Sequence, residues 1–152
     1  MTDKPITVLV LCTGNSARSV LAEVLINELG GGQWQAYSAG SHPTGTVNPL
    51  SIEILREKGH VVEGLRSKSW DEFAAPDAPR MDLVITVCDN AAGEVCPVWP
   101  GHPARVHLGF SDPAAAEGTP AERLAVFRDV YGQIAAKVRR LMELGPARAE
   151  EV

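Results

Sequence analysis

The sequence predicts an α/β domain on a small parallel sheet, with its functional groups at the carboxyl ends of the strands. Three observations predict it. Two short runs, ITVLVL at residues 6–11 and LVITV at 83–87, are almost wholly apolar, as strands covered on both faces must be. Segments with apolar residues at helical spacing alternate with them, which is the βαβ pattern. Each run also ends on a cysteine, Cys12 or Cys88, and open parallel sheets place ligands just beyond the strand carboxyl ends. The expected architecture is a three-layer α/β/α arrangement with a four-stranded parallel sheet, occupying residues 1–152 as a single domain.

Each element has its own signal. After the first strand, Val20, Leu21, Val24, Leu25 and Leu29 recur at helical spacing and predict a helix over 16–29, stopped by Gly30-Gly31-Gly32. Residues 35–38 read as a second strand, with Ala39-Gly40 and 43–49 as loop. A second helix is expected over 50–58, ending at Gly59, with Ile52, Ile54 and Leu55 inward. Ser69 can cap a short helix through Phe73. The strand at 83–87 is followed by residues 89–103, which hold two glycines, three prolines and no period, and read as loop. A short strand is expected at 105–108. Thr119-Pro120, a cap followed by proline at the first helical position, opens a helix to about Leu144. Leu124, Phe127, Tyr131, Ile134, Val138 and Leu141 form its inward stripe. Residues 145–152 are expected to fray.

Composition narrows the functional classes. With 45% hydrophobic and 22% charged residues the chain reads as globular rather than disordered. Net charge is −5 with no basic run, which argues against nucleic acid as a partner. Any anion site must therefore be local, built from backbone dipoles and an arginine or two. No apolar run is long enough to span a bilayer and no signal-peptide pattern is present, so the expectation is a cytoplasmic protein with no membrane partner. At this size a monomer is the default. Three cysteines in a reducing compartment read as reactive thiols or core filler rather than as a disulfide framework.

Position decides for Cys12. It opens the stretch CTGNSARS, between a strand and a helix start. A buried structural cysteine needs none of the seven residues after it; a nucleophile for an oxyanion needs nearly all of them. Backbone N–H groups of Thr13, Gly14, Asn15, Ser16 and Ala17 can form a cradle for a tetrahedral anion. Gly14 permits positive φ and Asn15 tolerates it. Ser16 and Ser19 add hydroxyls, and Arg18 adds a planar fork that holds two oxygens at once. The same field favours the thiolate of Cys12, which is the attacking form.

CTGNSARS resembles the C-x-G-N-x-x-R-S loop of low-molecular-weight protein tyrosine phosphatases and, closer still, the arsenate reductases that share their fold. The resemblance extends through SAG at 38–40, VCDNAAGEVCP at 87–97 and GFSDPA at 109–114. It implies that the Asp112-Pro113 pair carries the general acid, Asp112. Phosphatases of the family carry tyrosines after this pair, where here Ala114-Ala115-Ala116 leaves no wall for an aromatic ring. A reductase must also supply two electrons, which a pair of thiols becoming a disulfide provides. The resemblance implies a relay in which Cys12 attacks arsenate, Cys88 attacks the Cys12 adduct, and Cys96 regenerates Cys12.

Arsenate is then the substrate, with phosphate or sulfate as mimics. No cofactor is bound, and an external thiol reductant, thioredoxin or alternatively glutathione with glutaredoxin or mycothiol, completes the cycle. Two other readings stand beside this one. The chain could be a phosphatase for phosphotyrosine or small phosphoesters using Cys12, Arg18 and Asp112, or a redox or oxyanion sensor. A zinc site from Cys88, Cys96 and His102 lacks a fourth ligand, so no metal is expected. Some thioredoxin-coupled relatives bind potassium through an Asn, a Glu, a Ser and an Asp. Asn15, Glu23 and Ser38 match the first three, but the fourth falls at Trp70, and no potassium site is expected.

Overall fold

The computed structural model describes residues 5–87 and 103–152. Four strands, β1 (Ile6–Cys12), β2 (Trp34–Gly40), β3 (Leu83–Thr86) and β4 (Ala104–His107), form one sheet in the order β2-β1-β3-β4, and every pairing is parallel. Helices α1 (Arg18–Leu29), α2 (Pro49–Glu57) and α3 (Pro120–Leu144) complete the frame, with short 3₁₀ turns at Trp70–Phe73, Pro113–Ala115 and Pro146–Glu151.

The two-sided burial expected of β1 is present: Val8, Leu9, Val10 and Leu11 are all fully buried. Alternation divides them. Val8 and Val10, with Leu83 and Ile85 of β3, face a core filled by α1, α2 and α3. Leu9 and Leu11, with Val84, face a smaller cluster closed by Phe73 and Met81, with Trp70 packed against it. Among the described residues, three α-helices therefore cover one face and the Trp70–Phe73 turn covers the other.

Several boundaries differ from the sequence reading, each for a physical reason. Helix α1 begins at Arg18 rather than Ser16, because Asn15 has φ 47° and cannot join a right-handed helix. Strand β2 runs past Ser38 to Gly40, since it pairs with β1 along its whole length, from Ile6–Trp34 to Cys12–Gly40. Ala39-Gly40 looks like loop in sequence, yet glycine is needed there inside the strand. A Cβ on Gly40 would lie 2.4 Å from the Thr13 carbonyl oxygen, so the loop after β1 rests directly on the β2 backbone.

On α2, Ile54 and Leu55 are fully buried and Ile52 partly so. Asn48 caps that helix by accepting from the Leu50 N–H at 2.9 Å. The Thr119 cap of α3 is as expected and is doubled: Thr119 Oγ1 accepts from the Glu122 N–H, and Glu122 accepts in return from the Thr119 N–H. The expected fraying of the tail is not found. Gly145, at φ 82°, reverses the chain after α3, and residues 146–151 wind into a 3₁₀ turn that buries Ala149 and packs Val152 on the main core.

Strand order fixes where a ligand belongs. From β1 the chain crosses to β2 on one side, and β3 and β4 lie on the other. The crevice beyond the carboxyl ends of β1 and β3 is thus the switch point of the sheet. Cys12 is the last residue of β1 and stands at its mouth.

Candidate active site

The loop from Cys12 to Arg18 is held from outside by its carbonyl oxygens. Thr13 O accepts from the His42 N–H at 2.9 Å, and Gly14 O accepts from the Thr44 N–H at 3.0 Å and from Ser67 Oγ at 3.0 Å. Ser16 O accepts from the Asn48 N–H and Ser51 Oγ, both at 3.0 Å, and Ala17 O accepts from the Leu21 N–H. In a trans peptide the carbonyl of one residue and the N–H of the next point in opposite directions. Tying these four carbonyls outward therefore turns the N–H groups of Gly14, Asn15, Ala17 and Arg18 toward the inside of the loop. Ala17, at the helix start, supplies no side-chain cap, so the first-turn N–H groups are not consumed by one.

Asn15 locks this shape. It is fully buried, and its amide is saturated: Nδ2 donates to Ser19 Oγ at 2.8 Å and Ser38 Oγ at 3.0 Å, while Oδ1 accepts from the Lys68 N–H at 2.9 Å. Ser38 Oγ donates onward to Glu23 Oε1. Both Ser19 and Ser38 are fully buried. The motif residues of β1, α1 and β2 are thus joined in one network beneath the loop.

Arg18 projects from the first turn of α1. Its Nη1 donates to the Phe110 carbonyl oxygen at 3.0 Å, and Nη2 stands 3.6 Å from Asp112 Oδ2. Its Nε is buried and has no hydrogen-bond partner among the described residues. A buried guanidinium N–H left over beside inward backbone N–H groups fits an oxyanion acceptor. Asp112 caps the Pro113–Ala115 turn by accepting from the Ala114 N–H on Oδ1 at 3.0 Å. That bond orients the carboxylate and leaves Oδ2 as the oxygen facing Arg18.

The structure brings Cys12, Thr13, Gly14, Asn15, Ser16, Ala17, Arg18 and Ser19 into one loop, with Asp112 reaching it from a segment almost one hundred residues away. Cys12 is buried, with 5% of its surface exposed. Cys88, Cys96 and His102 lie outside the described residues. Among the described residues, no three His, Cys, Asp or Glu side chains converge as metal ligands. No helix among them is long and apolar enough to cross a membrane. Sequence reasoning missed the supports: Ser51, Ser67, the Phe110 carbonyl and Lys68. Their partners are 35, 53, 92 and 53 residues distant, and no local pattern announces them.

Comparison with known proteins agrees with this geometry. The chain is 42% identical over 135 residues to an arsenate reductase of Halalkalibacterium halodurans, covering 89% of this chain and 94% of that protein. Among solved structures, an arsenate reductase from Archaeoglobus fulgidus matches with a TM-score of 0.70 at 29% identity, over 90% of this chain and 98% of that one. A thioredoxin-dependent arsenate reductase from Corynebacterium glutamicum matches with a TM-score of 0.67 at 26% identity, over 94% of this chain and 63% of that one. The family model described as low molecular weight phosphotyrosine protein phosphatase matches residues 7–150. With strand order, anion loop and sequence in accord, the chain belongs to the low molecular weight phosphotyrosine protein phosphatase family.

Proposed function

We propose that this protein is an arsenate reductase working through three cysteines. The observation that carries the reading is the loop at the end of β1. Cys12 sits inside a turn whose carbonyls are tied outward, with the Arg18 guanidinium and the Asp112 carboxylate converging beside it. Two features favour reduction over phosphoester hydrolysis. The relatives named above are arsenate reductases, and Asp112-Pro113 is followed by three alanines rather than by an aromatic wall.

Arsenate binds in the cradle of inward N–H groups and the Arg18 fork, which neutralise its charge. The Cys12 thiolate attacks arsenic and a sulfur–arsenic bond forms. Asp112, through Oδ2, protonates the departing oxygen, which leaves as water. The Cys88 thiolate then attacks the Cys12 sulfur. The sulfur–arsenic bond breaks with its electron pair on arsenic, arsenite leaves, and a Cys12–Cys88 disulfide remains. Cys96 attacks Cys88, frees the Cys12 thiolate and leaves a Cys88–Cys96 disulfide. A thioredoxin-like dithiol returns that disulfide to two thiols.

The test is NADPH consumption with arsenate, thioredoxin and thioredoxin reductase, run beside Cys12→Ser and Cys96→Ser, with a parallel glutaredoxin and glutathione arm. Arsenate-dependent turnover is expected with thioredoxin, abolished in Cys12→Ser and lost in Cys96→Ser. Turnover only in the glutathione arm would replace the last step of the relay. No turnover with either donor, beside brisk hydrolysis of an aryl phosphate, would overturn the reductase reading in favour of a phosphatase.

A further inference from the structure

The hydrogen-bond chain that fixes Asn15 continues beyond Ser38 to a carboxylate and an ammonium, neither of which the proposed chemistry uses. The Glu23 side chain is 17% exposed and that of Lys68 7%, and Lys68 Nζ stands 3.9 Å from Glu23 Oε1. Lysine is rarely this buried unless it is paired. Lys68 also meets the loop through its backbone: its N–H donates to Asn15 Oδ1 and its carbonyl accepts from the Gly40 N–H, both at 2.9 Å.

We propose that Glu23 and Lys68 form an internal ion pair that positions the anion-binding loop: Lys68 keeps Glu23 ionised, and ionised Glu23 orders the hydrogen bonds that hold Asn15. Both are positioning residues acting through Ser38 and Asn15. The inference rests on reading the loop as an oxyanion site.

Donors and acceptors couple the pair to the loop. An ionised carboxylate can only accept, so the Ser38 hydroxyl proton is committed to Glu23 and the Ser38 lone pairs face Asn15 Nδ2. A protonated Glu23 could donate instead, and the Ser38 proton would be released from that commitment. Burial favours this loss: it is the largest influence on Glu23 and raises its pKa, while the Ser38 hydrogen bond, Lys68 and Arg66 oppose it. Burial likewise lowers the Lys68 pKa, and Glu23 opposes it. Each charge thus offsets the desolvation of the other. Removing one partner alone leaves a buried charge uncompensated, which costs more than removing both.

The test is phosphate binding by calorimetry to the full-length reduced protein, with thermal midpoints as the check on folding. Phosphate is used because the thiols do not reduce it. Lys68→Met should weaken phosphate binding on the order of tenfold. Lys68→Arg, which keeps the charge, should stay within about twofold of the wild type. The double variant Lys68→Met/Glu23→Gln, with no charge left to bury, should recover most of the loss. If Lys68→Met does not fold, Glu23→Gln measured against the double variant gives the same comparison. Equal affinity in wild type and Lys68→Met overturns the pair. So does a double variant as weak as the single, because packing rather than charge would then be at fault. A wild type that binds no phosphate fails the oxyanion reading itself, a distinguishable result.

Discussion

Asn15 concentrates the local cost of the site. It is the non-glycine residue with positive φ among those described, and a buried amide with every donor and acceptor engaged. The strain of its backbone is held by Ser19, Ser38 and Lys68, so the site depends on groups that never touch substrate. Glu23 at the end of that chain gives a pH prediction. Burial raises its pKa in the folded protein above 4.5. An acid raised in this way contributes stability that is complete below the unfolded value and lost as pH rises through the folded one. Glutamine does not titrate, so Glu23→Gln should gain in thermal midpoint relative to the wild type as pH rises from 4.5 toward neutrality. Parallel midpoints over that range would contradict a raised Glu23. The reacting residues of the loop are legible in sequence because they share one short string with a mechanical reason for each letter. Lys68 is not, because a lone lysine in a polar segment carries no local mark of being buried 53 residues from its partner.

Among the elements, the helices are most legible where their ends carry side-chain chemistry. Thr119-Pro120 announces α3, and the structure adds the reciprocal bond from Glu122. Thr119→Ala should cost about 1 kcal/mol, read as a lower thermal midpoint by roughly 2–4 °C, with phosphate affinity unchanged. A midpoint equal to the wild type would mean that water caps the helix as well as Thr119 does. Periodicity starts α1 two residues early because it cannot see a loop. The carbonyls that hold residues 13–17 in place bond to residues 42–51 and 67, and that tertiary pull overrides helical continuation.

At the scale of the molecule the two ends of the sheet have different tasks. The anion loop lies beyond the carboxyl ends of β1 and β3, whereas the C-terminal turn packs near the strand starts, where Pro146 and Ala147 share a cavity with Ile6 and Ala104. Removing residues 146–152 should therefore lower the thermal midpoint by a few degrees and leave phosphate affinity as it was, since only buried Ala149 and packed Val152 are lost. Reduced affinity in that truncation would show that the two ends are coupled. The tail escapes sequence reasoning for the same reason that Lys68 does: a short polar segment shows in sequence neither the reversal at Gly145 nor the surface onto which it folds back.

The strand order also sets a timetable. No two strands of this sheet form a hairpin, and the central strand meets its second neighbour only across 75 residues, where Thr7 and Asp82 exchange hydrogen bonds. During synthesis the run ITVLVL can pair with β2 after one helical crossover, but its other edge must wait for β3. Loop closure on that scale slows folding relative to a chain of local contacts. Until β3 is made, the most apolar strand of the protein offers an unpaired edge to any other extended chain. The strand that carries the nucleophile is thus also the segment whose protection in the nascent chain governs how much protein reaches the folded state.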